Sequence, residues 1–326
     1  MAKKKYRACY SGIGGQAVLE GIMMKNKDKY AVAVRKPDGE IEVDIDEYTG
    51  IVKGGIKNIF LLRGVFNFID SLVLGMKTIN YSASFYEDTK ENETRFDKLM
   101  GKIFKDKSEQ IITGFVTLLS VILAVAIFIV LPYFLTDFLT RDIRNHTLVS
   151  FIEGAIRIVI FVGYVVLISL NKDIKRVYRY HGAEHKCINC LEHGHELTVE
   201  NVMRSSRLHR RCGTSFMLLV VFISIILFFF IRVESPVLKV VFRLLLVPVI
   251  AGISYEILRL AGKGNNIFVK IISAPGLLMQ KITTREPDES MVEVAIMAVE
   301  AVFDWKDFLA EKFPPADTGA NADDKE

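Results

Sequence analysis

The chain has 326 residues, of which 51% are apolar and 25% are charged, and its formal net charge is +4. Its mean hydropathy is +0.29. So small a net charge, without a basic stripe of interleaved aromatic residues, argues against a nucleic-acid partner. The composition instead predicts membrane-spanning segments, with the lipid bilayer as a partner, joined by charged and folded segments.

Residues 1–50 are predicted to form a small, β-rich cytoplasmic unit. The runs Tyr30–Arg35 and Glu40–Asp46 flank the sequence Lys36-Pro37-Asp38-Gly39. Proline presets φ and glycine tolerates positive φ, so this sequence predicts a turn and the two runs predict a β-hairpin. A third strand is predicted over Gln16–Met24. The glycine-rich run Gly12–Gly15 before it is interpreted as a tight turn, because no complete phosphate-binding pattern is present.

Residues 51–109 are predicted to hold an amphipathic helix followed by a linker. Within Ile56–Ala83 the apolar residues recur at helical spacing, interrupted by Gly64 and Gly75. The pattern is typical of a helix with one apolar face. Such a helix could lie on a membrane surface or pack against a helix bundle, and the sequence leaves both open.

Four apolar segments predict membrane spans within residues 110–170 and 214–262. They are Ile111–Thr136, Val149–Leu170, Cys212–Ile231 and Leu238–Leu260. At about 1.5 Å per residue, such lengths suit a hydrocarbon core about 30 Å thick. Glu153 and Arg157, near the start of the second span, share one helix face. They are predicted to lie at the membrane interface, where long charged side chains reach water, rather than to form a buried pair.

The distribution of lysine and arginine predicts the orientation of these spans. Basic residues concentrate before the first span, between the second and third, and after the fourth. Basic flanks stay in the cytoplasm, so both termini and residues 171–213 are predicted to face the cytoplasm in a multi-pass protein of the cell membrane. Residues 263–313 are predicted to be a cytoplasmic helical segment. It contains an apolar stretch, Ile267–Ile282, broken at Pro275-Gly276, and a helix over Met291–Phe303. The acidic tail 314–326 is predicted to be disordered.

Histidine and cysteine are concentrated in residues 171–213. Five of the six histidines and three of the four cysteines lie between His181 and Cys212. Imidazole and thiolate are good ligands for zinc and related ions, and a reducing cytoplasm leaves thiols free for metal. The segment is therefore predicted to be a metal-binding loop at the membrane surface, with zinc as the expected ion.

The first candidate ligand set is the His-x-x-Glu-His sequence that begins at His181. Residues four apart on a helix lie about 5–6 Å apart at Cβ, so His181 and His185 can reach one ion. His209 and Cys212 are the candidates for a third ligand, which would leave one position open for water. Glu184 would either bind the metal or act as the catalytic base on that water, as in the inverzincin pattern.

The second candidate ligand set pairs Cys187 and Cys190 with His209 and Cys212, a spacing close to that of a structural zinc ribbon. On a continuous helix, a turn of about 100° per residue directs Cys187 and Cys190 away from the two histidines of the first set. If the helix ended near His185, these cysteines could join the histidine site. The remaining histidines and cysteines are not expected to be ligands: Cys9, His146, His193 and His195.

Several motifs resemble the YqhQ-like membrane proteins, a bacterial family described as predicted metal-dependent enzymes. The resemblance spans nearly the whole chain and is carried by Gly14–Met24, Leu62–Gly64, Tyr180–Lys186, His209–Phe216, Pro275–Gln280 and Thr283–Asp288. It implies a metal site but no particular substrate. The chain departs from the family pattern at Arg210, where proline is usual, and at Cys187, where threonine is common. The second departure weakens the ribbon hypothesis and favours the set of His181, Glu184, His185, His209 and Cys212.

These observations predict an α-helical integral membrane protein with about four transmembrane helices and a small N-terminal β-hairpin or sheet. The expected function is that of a zinc-dependent hydrolase with Glu184 as base. Its substrate would be a membrane-protein segment or a lipid-linked molecule reached at the cytoplasmic surface. The alternative is a non-catalytic assembly or regulatory protein with a structural metal. In that case the glycine motif and Thr283–Arg285 would form the interface of a homo-oligomer.

Overall fold

The computed structural model describes residues 8–52, 59–86, 108–233, 235–263 and 267–314. Within these ranges the chain forms one antiparallel sheet, helices that cover the sheet, and a set of strongly apolar helices. The linker predicted after the first helix lies largely outside the described residues, as does nearly all of the acidic tail 314–326.

Four antiparallel strands form the sheet in sequence order: β1 Ile13–Val18, β2 Gly21–Asn26, β3 Lys29–Arg35 and β4 Ile41–Glu47. The predicted hairpin is present as β3 and β4. The single strand predicted over Gln16–Met24 is wrong, because a two-residue turn pairs Val18 with Gly21 and divides the segment. Glu20 in this turn has a φ of 51°. Gly14 and Gly15, predicted to be turn residues, lie inside β1.

The helices follow in chain order. They are α1 Leu62–Ser84, α2 Ser108–Val125, α3 Leu131–Leu139, α4 His146–Ile168, α5 Lys172–Glu192, α6 Val199–Arg204, α7 Gly213–Phe229, α8 Pro236–Lys263, α9 Ile267–Thr283, α10 Glu289–Val302 and α11 Trp305–Lys312. A π-helical turn, Ala126–Val130, joins α2 to α3. The helix predicted at Met291–Phe303 is present as α10.

The two faces of the sheet are covered by different helices, because successive side chains of a strand point to opposite faces. On one face, Met24 and Ala33 pack in a core with residues of α5 and α10. On the other face, Val32 and Val34 pack against Leu74 of α1. The sheet thus forms the middle layer of a unit in which α5 is one of the covering helices.

α1 packs on the apolar helices with one face and exposes apolar residues on another. A Cβ atom added to Gly64 would lie 3.0 Å from the Cα of Gly252 in α8, so the two glycines permit a close approach of these helices. Leu72 and Met76 are 52% and 42% exposed. The helix predicted within Ile56–Ala83 is therefore present and packs against the bundle, and it also presents an apolar stripe of the kind expected of a membrane-surface helix.

Three helical segments of the described chain are long and apolar enough to cross a membrane: Gly114–Leu139, His146–Ile168 and Pro236–Leu260. The remaining predicted span corresponds to α7, which has 17 residues. At 1.5 Å per residue it is about 25 Å long, shorter than a typical hydrocarbon core. The sequence thus predicted four spans, whereas three helices satisfy both length and composition.

The charges near the start of the second predicted span are withdrawn from solvent: Arg157 is buried and Glu153 is partly buried. Arg157 of α4 and Arg243 of α8 are 4% and 2% exposed, and both donate to the carboxylate of Glu153 at 2.8 Å. The prediction that Glu153 and Arg157 reach water rather than form a pair is therefore wrong. Helix packing brings in a second arginine from a distant segment, and ion pairing offsets part of the cost of burying charge among apolar helices.

The segment 171–213, predicted to connect two spans and to carry the His-x-x-Glu-His sequence on a helix, is largely helical. The side chain of Asn171 caps α5 by accepting hydrogen bonds from the backbone N–H groups of Asp173 and Ile174. The C-terminal half of α5 is buried around its circumference, so its sequence lacks a simple two-faced pattern. The predicted break at Pro275-Gly276 is also wrong, because α9 continues through both residues.

Candidate metal centre

The helix that carries the His-x-x-Glu-His sequence continues seven residues past His185, to Glu192. The rings of His181 and His185 therefore lie one turn apart, with centroids 4.4 Å from each other. Gly182 lies between them and faces the backbone of Arg285, where an added Cβ atom would overlap the carbonyl oxygen. This close crossing brings the segment after α9 directly over the histidine pair.

The third member of the cluster is Cys212, the N-cap residue of α7. Its sulfur lies 3.2 Å from Nε2 of His181. The candidate ligand atoms of His181, His185 and Cys212 all lie within 4.8 Å of one another. We call these three residues the His/Cys triad. Two imidazoles and one thiol that meet at one point form a donor set suited to zinc.

Buried polar side chains hold the backbone that leads to Cys212. Lys186 of α5 donates to the carbonyl groups of Met203 and Ser205 at 2.8 and 3.0 Å. Gln280 of α9 donates to the carbonyl of His209 at 2.7 Å and accepts from its N–H at 2.8 Å. These bonds satisfy backbone groups that would otherwise be buried without partners, and they place Cys212 beside the histidines.

Both imidazoles of the triad are oriented by backbone carbonyl groups. Nδ1 of His181 donates to the carbonyl of Thr283 at 2.9 Å, and Nδ1 of His185 donates to that of Arg207 at 2.7 Å. In the neutral rings these bonds leave both Nε2 atoms as acceptors. Both rings also interact with the sulfur of Cys212, so three possible metal ligands face one another. A cation held there would satisfy all three groups, and such carbonyl bonds are a usual support of histidine ligands.

Electrostatic interactions within the triad favour an ionised sulfur. Burial opposes ionisation of the Cys212 thiol, but His181 and His185 hold its pKa well below the usual value. Burial also opposes protonation of His181, but the neighbouring Cys212 raises the pKa of His181 to about 9. Thiolate is the form of cysteine that binds metal, and a metal ion bound here would displace the proton from His181.

Glu184 is buried beside the triad and has an unused carboxylate oxygen. Its Oε2 atom has no hydrogen-bond partner among the residues that the structure describes. The backbone N–H of Gly15 in β1 interacts with the same carboxylate, and a Cβ at Gly15 would lie 3.3 Å from Cγ of Glu184. Burial raises the pKa of Glu184, although His185 and His181 act against this rise. A raised pKa suits a carboxyl group that accepts and releases a proton near neutral pH.

His209, the other candidate for the third ligand, faces a different partner. Its ring centroid lies 5.7 Å from that of His185, but its Nε2 lies 3.5 Å from the carboxylate of Glu192. The same carboxylate pairs with Arg211 and accepts hydrogen bonds from the N–H and hydroxyl of Ser11 at 3.0 and 2.9 Å. The structure thus places Cys212, and not His209, with the histidine pair. Sequence reasoning gave no role to Glu192.

The Glu192 network should make the fold sensitive to acid. Burial favours the neutral acid, but the hydrogen bond from His209 and the charge of Arg211 lower the pKa of Glu192 from 4.5 to about 2. Because the folded pKa is the lower one, this stabilisation is present above about pH 4.5 and is lost as the pH falls towards 2. It amounts to at most about 3 kcal/mol. We expect thermal stability to fall less between pH 6 and pH 3 in Glu192→Gln than in the wild type.

Glu196, which is exposed, provides the matched control for this measurement. Glu196→Gln should show the same acid sensitivity as the wild-type protein. An equal fall in all three proteins would contradict a stabilising role for the Glu192 carboxylate.

The cysteines of the zinc-ribbon alternative do not meet the triad. Cys187 and Cys190 lie in the apolar core formed with the sheet and α10. Burial raises the pKa of the Cys190 thiol to about 11 and that of Cys187 well above its usual value. Apolar burial of this kind keeps thiols neutral and unsuited to metal. His193 and His195 are exposed at the turn after α5.

Comparison with known proteins places these residues in a family. A family model described as "Protein of unknown function (DUF1385)" matches residues 59–305, which include the whole triad and Glu184. The chain belongs to this family. A protein of Bacillus subtilis (strain 168) described as "Uncharacterized protein YqhQ" is 37% identical over 300 residues, which cover 91% of this chain and 92% of that protein. The resemblance to YqhQ-like proteins is confirmed. No solved structure matches the chain.

Proposed function

We propose that this protein is a zinc-dependent hydrolase of the cell membrane, with its site at the cytoplasmic face. The observation that carries the proposal is the convergence of His181, His185 and Cys212, with both Nδ1 atoms bonded to backbone carbonyl groups. Three protein ligands leave one tetrahedral position open, as in catalytic rather than structural zinc sites.

Glu184 supplies the proton transfer that hydrolysis requires. Zinc held by the triad would lower the pKa of water to about 7 and polarise the bond to be cleaved. The free Oε2 of Glu184 would accept the proton of the attacking water and pass it to the leaving group. The N–H of Gly15 fixes the orientation of this carboxylate, and burial strengthens each electrostatic interaction in the site.

The position of the triad supports a substrate that lies at the membrane. Cys212 immediately precedes the apolar helix α7, whereas His181 and His185 belong to the sheet-covering helix α5. The site therefore lies where the polar unit meets the apolar helices. Basic residues flank the apolar segments on this side, which favours a cytoplasmic orientation. A membrane-protein segment or a lipid-linked molecule is the proposed substrate class.

The assembly-protein alternative receives less support from the packing. It assigned Thr283–Arg285 to a contact between chains, but this segment packs against α5 of the same chain. The N–H of Arg285 donates to the carbonyl of Tyr178 at 2.9 Å, and Thr283 and Thr284 are buried. A closed structural zinc site would also need a fourth ligand, and His209 faces Glu192 instead.

Replacement of Glu184 tests the proposed catalytic role. Membranes would be incubated in ¹⁸O-labelled water with purified wild-type protein or Glu184→Gln, and the peptides and lipids analysed by mass spectrometry. For each bond that it cleaves, a hydrolase transfers one labelled oxygen to one of the two products, so the substrate need not be known in advance. We expect Glu184→Gln to keep its zinc but to form labelled product at least about 100-fold more slowly, since a general base contributes that much or more.

Glu196→Gln, at an exposed position on the same segment, serves as the control and should retain full activity. If wild-type protein, Glu184→Gln and zinc-stripped protein gave the same labelling, the hydrolase would be excluded and the assembly role favoured.

A further inference from the structure

A second polar cluster lies within the apolar helices, away from the His/Cys triad. It contains Glu153 and Arg157 of α4, Ser224 of α7 and Arg243 of α8. Ser224 follows Cys212 by twelve residues in α7, which corresponds to about 18 Å along the helix. The cluster is therefore separate from the proposed zinc site.

The guanidinium groups of this cluster have more donors than the described residues have acceptors for them. Glu153 accepts from Arg157 and Arg243 at 2.8 Å, and Ser224 accepts from Arg157 at 3.4 Å. The Nε atoms of both arginines and Nη1 of Arg243 are buried without a hydrogen-bond partner in the described part of the chain. Buried donors without acceptors are costly, so a purely structural ion cluster would be expected to satisfy them.

Aromatic rings and a third cation complete the cluster. Arg157 and Arg243 lie 4.6 and 5.1 Å from the ring of Phe228. Arg243 also lies 5.3 Å from the ring of Tyr133, and Lys239, one turn earlier in α8, lies 4.9 Å from the same ring. Ring faces attract cations but carry no formal negative charge, so they leave the charge of the cluster unbalanced.

We propose that this cluster binds a phosphate-bearing anion, either an anionic lipid head group or free phosphate. Among the residues that the structure describes, the acidic groups that face it are Glu153 and the exposed Asp137 near Tyr133, two carboxylates against three cations. A phosphate group has enough oxygens for two guanidinium groups and an ammonium. Lys239 lies in the first turn of α8, where the positive end of the helix dipole also attracts an anion. Binding of a lipid head group rests on the membrane location proposed above, whereas binding of free phosphate does not.

Thermal unfolding of the full chain in neutral detergent tests this site. The additions would be palmitoyl-oleoyl phosphatidylglycerol, phosphatidylcholine with the same acyl chains, and inorganic phosphate, at constant ionic strength set with sodium chloride. We expect phosphatidylglycerol or phosphate to raise the Tm by about 4 °C or more in a saturable way, and phosphatidylcholine to raise it by less than about 1 °C. A rise with phosphatidylglycerol alone identifies a lipid site, whereas an equal rise with phosphate identifies a soluble-anion site. No saturable rise with either anion would overturn the proposal.

Substitutions within the cluster test whether the anion binds there. Arg243→Gln should abolish the shift, and the milder Lys239→Gln should weaken the apparent affinity about 10-fold even if the first variant does not fold. Lys172→Gln, at an exposed position at the start of α5, is the control and should bind as the wild type does. If Lys239→Gln bound as tightly as the control, the proposal would be wrong. The His185→Ala variant should retain the shift, so loss of the zinc site and loss of the anion site can be told apart.

Discussion

Replacement of His185 by alanine is expected to lower the zinc content of the purified protein from about one ion per chain to below about 0.1. His185 is 1% exposed and its Nδ1 is bonded to the Arg207 carbonyl, so alanine removes a buried ligand that the backbone already orients. Removing one of three protein ligands costs most of the affinity. Elemental analysis by mass spectrometry measures the result directly.

Two control variants separate loss of a ligand from loss of the fold. His193→Ala removes an exposed histidine that directly follows α5. Cys190→Ala removes a buried thiol of α5 that does not contact the triad. Both should retain about one zinc per chain. Equal zinc in His185→Ala and in these controls would eliminate the proposed site. Loss of zinc from Cys190→Ala would instead favour the zinc-ribbon ligand set.

Replacement of Gly182 by alanine is expected to destabilise the protein by about 3 kcal/mol or more. The added methyl group would overlap the carbonyl oxygen of Arg285. This contact is between two backbone segments, and neither can move away as the end of a flexible side chain can. Relief of the overlap would displace the segment that carries the Thr283 carbonyl, so zinc affinity should fall as well. Chemical or thermal unfolding in detergent measures the change.

Gly163→Ala is the matched control for this second experiment. Gly163 lies in the interior of α4, and a Cβ atom there would meet nothing within 4 Å. Alanine is intrinsically better than glycine in a helix, so this variant should be as stable as the wild type or slightly more stable, by about 0.5–1 kcal/mol. If Gly182→Ala were also neutral, the close crossing of α5 by the Arg285 segment would be incorrect.

The His185 and Gly182 variants test two parts of the same proposed zinc site. The proposed zinc site depends on three segments that meet at α5: the loop that ends at Cys212, the turn that follows α9, and the edge strand β1. His185 tests the ligands themselves, and Gly182 tests the packing that orients them. Thr283–Asp288, one of the motifs shared with YqhQ-like proteins, thereby acquires a structural explanation. Its backbone orients His181 and crosses the helix where only glycine fits.

The sequence alone was sufficient to predict the elements that depend only on residues close together in the chain. Pro37-Asp38-Gly39 predicted the turn between β3 and β4, because proline and glycine set φ without help from the rest of the chain. The four-residue spacing of His181 and His185 predicted two rings on one helix face for the same reason. Long apolar runs predicted helices suited to a membrane, since length and hydropathy alone decide that property.

Tertiary packing decided which residues complete the site. His209 and Cys212 are three residues apart and were equivalent candidates in the sequence, but Gln280 holds the backbone of His209 and Glu192 faces its ring, which leaves Cys212 beside the histidines. The sequence left open whether the helix with His181 and His185 ends near His185, because the C-terminal half of α5 is buried on all sides and shows no polar face. Arg243 joined Glu153 across 90 residues of sequence. Contacts between distant segments depend on how whole elements pack, and no spacing within one element encodes them.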